Sequence, residues 1–234
     1  MPACADATLP DAIRKAFRDL ASQTPGIDCE VYQRFEKDPL EPIVGLGQHT
    51  ARISFFGRDP GRDEVRHGLP FVGSGGQVVR KVIYRRLNGR EMPTFEASLE
   101  VGRSFFWINT VPYKPLGNKA WSMAVKRRFH PLMRQLLIEQ WSGHELITFG
   151  REAFLWFGID QPKQVRDALE AFWRSDGRFT ESIQIPLTTA TGDCRVFSVH
   201  PLPHPSPLNQ TWYTRFPALL NTRLQQLNVG SCSG

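Results

Sequence analysis

The sequence predicts an α/β fold, and two observations carry the expectation. First, four short and mostly apolar segments, ISFFG, SFFWINTV, ELITFG and CRVFSV, read as strands buried in a parallel sheet rather than half-exposed ones. Second, helical segments are interleaved with them, as in a sheet covered on both faces. The expected architecture is three-layer α/β/α around a central, mainly parallel sheet of four strands. A chain of 234 residues fits one large domain with a sizeable core. Residues 1–234 are therefore read as a single domain, with residues 1–45 as an N-terminal helical extension packed on it.

The elements follow in order. Leu9, Ala12, Ile13, Ala16, Phe17 and Leu20 share one helical face, with Pro10 in the first turn. Pro39, Pro42, Gly45 and Gly47 make residues 37–50 a loop. The first strand is 53–57. Residues 74–87 form a helix with Ser74 as N-cap and Val78, Val79, Val82 and Ile83 on the buried face. A second strand spans 104–111, a basic helix 121–140, a third strand 145–150 with a short helix after it, and a fourth strand 194–199. Residues 212–227 close the chain as a helix, with Pro217 near its start or at a kink.

Hydrophobic residues make up 41% and charged residues 22%, which excludes a disordered chain. No apolar run is long enough to span a membrane, and the start lacks the pattern of a secretory signal, so a cytoplasmic protein is expected. Lys and Arg total 29 against 23 Asp and Glu, a net charge of +6 that favours a polyanionic partner. Cys4, Cys29, Cys194 and Cys232 contain no C-x-x-C pair, so neither zinc nor an iron–sulfur cluster is indicated and free thiols are expected.

In such sheets ligands bind beyond the carboxyl ends of the strands. The first strand runs into GRDPGRDEVRHGLPFVGSGG, with an acid at Asp59, an aromatic ring at Phe71 and glycines that permit close backbone approach. The helix opening near Ser74 suits a phosphate. The second strand ends at Asn109, whose amide offers a donor and an acceptor side by side, or else caps a turn. The fourth strand is followed by HPLPHPSPLN, a loop stiffened by four prolines that is either a surface turn or a mount for a histidine. Acid, amide, histidine and ring on one rim suit hydrolysis at a sugar bearing a flat heterocycle.

GRDPG (57–61) followed by GLPFVGSGGQ (68–77), INTVPYKPLGNK (108–119) and HPSPLN (204–209) resemble, in order, the motifs of the uracil-DNA glycosylase superfamily. The resemblance covers roughly residues 51–220. It implies a monofunctional DNA glycosylase that hydrolyses the N-glycosidic bond of deoxyuridine in single- or double-stranded DNA. Such an enzyme is monomeric and needs no metal or cofactor. Asp59 would orient water and offset the positive sugar, and His204 would stabilise charge on the leaving base. Asn109 would pair with the uracil edge and reject cytosine. Phe71 would stack on the base, with Gly57 and Arg58 beside it. Ser74, Gly75, Lys114, Asn118, Lys119, Ser206 and Asn209 would contact DNA, and Leu208 would fill the gap left by the flipped nucleotide.

The sequence departs from the family pattern in ways that raise further expectations. Gly61 stands where one branch has a tyrosine that excludes thymine, leaving Tyr113 and Arg58 as candidates for that task. Of the two His-Pro pairs, His204 begins HPSPLN, and His200 is expected in a turn. KRRFH (126–130) resembles a segment of a branch that is trapped covalently on the abasic sugar. Its alternatives are a basic helix face, or a lesion-trapping protein acting through His130.

Overall fold

The computed structural model describes residues 7–48, 50–117, 119–207 and 209–230. Strands β1 (Ile53–Gly57), β2 (Phe106–Asn109), β3 (Glu145–Phe149), β4 (Ile183–Thr188) and β5 (Cys194–Leu202) form a five-stranded sheet in the order β2-β1-β3-β5-β4. The first four strands in that order are parallel; β4 joins the edge antiparallel to β5.

The helices are α1 (Asp11–Ser22), α2 (Cys29–Arg34), α3 (Arg62–His67), α4 (Ser74–Asn88), α5 (Phe95–Gly102), α6 (Met123–Glu139), α7 (Arg151–Leu155), α8 (Lys163–Arg174), α9 (Gln210–Tyr213) and α10 (Phe216–Gln226). Side chains that alternate along each strand enter different cores. Phe56, Phe106, Ile108 and Leu146 pack with Phe17 of α1 and with Phe129 and Met133 of α6. Phe55, Trp107, Ile147 and Phe149 pack with Val79 and Ile83 of α4 and with Leu220 of α10. This two-sided burial is why the strands read as continuous apolar runs. The N-terminal helix contributes Ile13, Phe17 and Ala21 to the first of these cores.

The sheet has one strand more than the sequence suggests. β4 alternates, with Ile185 and Leu187 buried and Gln184, Pro186 and Thr188 exposed. Pro186 argues against a central strand, and an edge strand tolerates it. Helices α2, α3, α5 and α8 are likewise additional to those the sequence predicts. Ser74 is the first residue of α4 rather than its cap, which is Gly73. Val78 and Val82 are half-buried, and Arg80 and Tyr84 take the buried positions. The closing helix divides into α9 and α10, with Pro217 in the first turn of α10, where its missing N–H costs nothing. Cys29 and Cys194 are free and exposed. None of the helices formed by the described residues is long and apolar enough to cross a membrane.

Candidate active site

The sheet register sets the site. Gly57, the last residue of β1, lies opposite Asn109, the last of β2. Phe149, the last of β3, lies opposite Leu202, the last of β5. The chain therefore leaves all four parallel strands at one edge. Arg58 and Asp59 follow β1 directly, and His204 comes two residues after β5. Thr110 ties the first two exits together, its N–H donating to Gly57 O at 2.9 Å and its hydroxyl to Arg58 O at 2.6 Å.

A cavity of about 360 Å³ opens at this edge. Asp59, Phe71, Asn109 and His204 all line it, with Gly57 as part of its floor. Arg58, Ser74, Gly75 and Ser206 are also on its wall. The four chemically distinctive side chains expected from the strand ends thus meet at one opening.

Close packing fixes the aromatic wall. A Cβ at position 57 would sit 2.4 Å from Phe71 Cζ and 2.8 Å from Asn109 Oδ1, so only glycine lets the ring and the amide approach the strand end. Phe71 itself has φ of 56°, a left-handed conformation disfavoured for a bulky residue. The buried Arg80 holds it there: Nε donates to Phe71 O at 2.7 Å and a terminal nitrogen to Pro70 O at 3.2 Å. The Arg80 guanidinium also lies 4.4 Å from the centre of the Trp107 ring, a cation–π contact. No described residue hydrogen-bonds the Asn109 side-chain amide, although the residue is 3% exposed. The residue lines the cavity.

Asp59 is equally poised. Its side chain is 3% exposed, and Arg58 Nε lies 3.0 Å from Oδ2. That ion pair is too poorly aligned for a hydrogen bond, and both carboxylate oxygens are shielded from solvent. Burial pushes its pKa up to about 6, against the opposing charges of Arg58 and Lys126. The carboxylate is mostly ionised at neutral pH. His204 is pushed the other way, to about 4, by burial and by Arg58. Its imidazole is neutral at pH 7 and donates one N–H without carrying charge.

Glu64, buried in the first turn of α3, braces the site from behind Asp59. Its carboxylate accepts the N–H of Gly61 at 2.9 Å, of Val72 at 3.0 Å and of Gly73 at 2.8 Å. It therefore clasps the turn after Asp59 to the start of α4. The available signal was Glu at the third helical position after Gly61, half of a capping box. Arg80 was also missed, although the helical period puts it on the buried face with Gly76, Val79 and Ile83.

Several expectations are corrected. Lys114 is not a free DNA contact: it is buried, with Nζ bound to Asp28 Oδ2 at 2.7 Å and to the carbonyls of Pro115 and Gly117. Tyr113 is fully buried, donates to Leu40 O and does not reach the cavity, so only Arg58 of the two thymine-excluding candidates lines it. His200 lies within β5 rather than in a turn, with Nε2 2.6 Å from Glu145 Oε2 and Nδ1 facing Arg223. His130 is fully buried in α6, its ring centre 4.5 Å from that of Trp156, outside the cavity. In the same segment Lys126 is buried and pairs with Glu152 at 2.6 Å. Lys119 is exposed near the cavity loop, and Asn209 Nδ2 donates to His204 O at 3.2 Å. Asn118 and Leu208 lie outside the described residues.

A mainly parallel sheet with acid, amide, ring and neutral imidazole converging at its carboxyl edge defines an α/β protein with a polar cavity at its strand ends. The family model described as the Uracil DNA glycosylase superfamily matches residues 44–228. The chain belongs to this superfamily and is a DNA glycosylase in the general sense. No curated protein matches it.

Proposed function

We propose that the chain is a monofunctional glycosylase that removes uracil from DNA by hydrolysing its N-glycosidic bond and leaves an abasic site. The convergence of Asp59, Asn109, Phe71 and His204 on one cavity carries the reading. Uracil would stack on Phe71 and present N3–H and O4 to the Asn109 amide. Cytosine has the opposite donor and acceptor at that edge and would leave buried groups unpaired. As the C1′–N1 bond breaks, the electron pair moves into the base and charge develops on O2. The neutral His204 N–H would stabilise it, a contribution of roughly 10²–10³ in rate. The ionised Asp59 would offset the positive sugar and orient the water that adds at C1′, accepting its proton.

Ser74, Gly75 and Ser206 on the cavity wall, with Lys119 and Asn209 near it, are proposed to hold the DNA backbone around the target. Covalent trapping through His130 is the second reading, and its complete burial away from the cavity counts against it.

The test is an end-labelled oligonucleotide carrying one uracil, incubated with the protein in chelator and analysed with and without hot alkali. Strand breakage only after alkali supports the proposal. Breakage without alkali would mean a lyase step, and a slow-migrating protein–DNA band would mean trapping. An intact strand throughout would exclude uracil as the base removed.

A further inference from the structure

One side of the cavity has no part in the proposed chemistry. Pro115 and Gly117 line it, and Leu116 between them is 61% exposed. An exposed leucine is ordinary by itself. Its mounting is not. Lys114 Nζ, immediately before it, is buried and spends its donors on Asp28 Oδ2 at 2.7 Å, Pro115 O at 3.0 Å and Gly117 O at 2.7 Å. The ammonium thus fixes the carbonyls on both sides of Leu116. The Leu116 N–H donates to Gly26 O at 2.7 Å, the Asp28 N–H to Lys114 O at 3.0 Å, and the Lys114 N–H to the Tyr32 hydroxyl at 3.1 Å.

Burying an ion pair is a poor route to stability, because desolvation consumes most of the attraction. It does fix geometry. Here the fixed geometry projects an apolar side chain into solvent at the edge of the pocket. The clamp comes from residues 26–32, which lie before the segment matched by the family model. Flipping a nucleotide from a duplex leaves an apolar gap, and an inserted aliphatic side chain fills it. A side chain whose backbone is already ordered gives up less entropy on insertion.

We infer that Leu116 is a wedge that enters the base stack of duplex DNA beside the target nucleotide, and that the Asp28–Lys114 pair positions it. This rests on the proposed DNA glycosylase reading. Leu208, for which the family resemblance implies the same kind of role, lies outside the described residues.

The experiment compares full-length wild type, Leu116→Ala and Leu116→Met in single-turnover excision. One uracil is placed in a single strand or in a duplex. Leu116→Ala should lose at least about fivefold more activity on the duplex than on the single strand, and Leu116→Met should restore the ratio. Asp28→Asn should lower the duplex-to-single-strand ratio in the same direction. An unchanged ratio in Leu116→Ala overturns the wedge. Wild type inactive on both substrates would mean that the uracil reading has failed, and the wedge is then read separately. A 2-aminopurine beside a tetrahydrofuran abasic analogue in a duplex should brighten with wild type and less with Leu116→Ala. Equal brightening overturns the inference.

Discussion

The ring of Phe71 occupies the space that a side chain at Gly57 would need, the Cβ position there lying 2.4 Å from Phe71 Cζ. Strand end and stacking surface are thereby locked to each other, and Asn109 Oδ1 adjoins the same point. Gly57→Ala must displace the ring or the amide. Excision by this variant should fall at least about tenfold, the order of loss that slight misplacement of reacting groups brings. Protein that folds as wild type by circular dichroism and excises at the wild-type rate would show that the contact does not matter.

Asp59→Asn separates catalysis from stability. Turnover should drop by about 10²–10⁴ with little change in DNA affinity, because a neutral amide neither takes the proton nor offsets the sugar. The same variant should be more stable. The Asp59 pKa is raised to about 6 in the folded chain from 3.8, so the buried charge opposes folding above pH 6. Removing it should add about 1–3 kcal/mol at pH 7. For a chain of this size that is a rise of several degrees in Tm, roughly 2–4 °C per kcal/mol. Thermal denaturation beside single-turnover kinetics reads both effects.

The pH dependence follows from the same group. In the proposed mechanism Asp59 acts ionised, so kcat/KM should fall as pH drops through about 6. His204, held near 4, stays neutral across that range and adds no second step there. Stability carries opposing contributions. Protonation of Asp59 favours the folded state as pH falls from 6 towards 3.8. His204 and His130, both pushed down to about 4 from 6.5, act in reverse. The unfolded chain takes up their protons first, so stability is lost between pH 6.5 and 4. Asp59→Asn should therefore make acid destabilisation steeper, which urea titrations at several pH values would detect.

Glu64→Gln tests the clasp between the Asp59 turn and the start of α4. An amide presents one acceptor oxygen where the carboxylate presents two, and an N–H₂ group then faces backbone donors. Loss of charge-assisted bonds to buried N–H groups should cost about 2–4 kcal/mol. Thermal denaturation should register it, and excision should slow even at temperatures where the variant is folded. Wild-type Tm would remove Glu64 from this role.

What the sequence determines here is local. Apolar runs at 53–57, 104–111, 145–150 and 194–199 predict strands of a buried sheet, and the segments after them name residues that the cavity collects. Strand ends are legible because a parallel sheet sends its exits to one edge whatever the detail of packing. Contacts between residues far apart in sequence were decided by the tertiary structure alone. The sequence does not show that Lys114 would find Asp28, or that Arg80 would reach back to the carbonyl of Phe71. Nor does it show that Glu64 would close on Gly73, or that His130 would be sealed against Trp156. Edge strand β4, with Pro186 at its middle, exists because β5 offers it a free edge and a core to cover. A motif fixes which groups are available; burial and long-range pairing decide which of them are free to act.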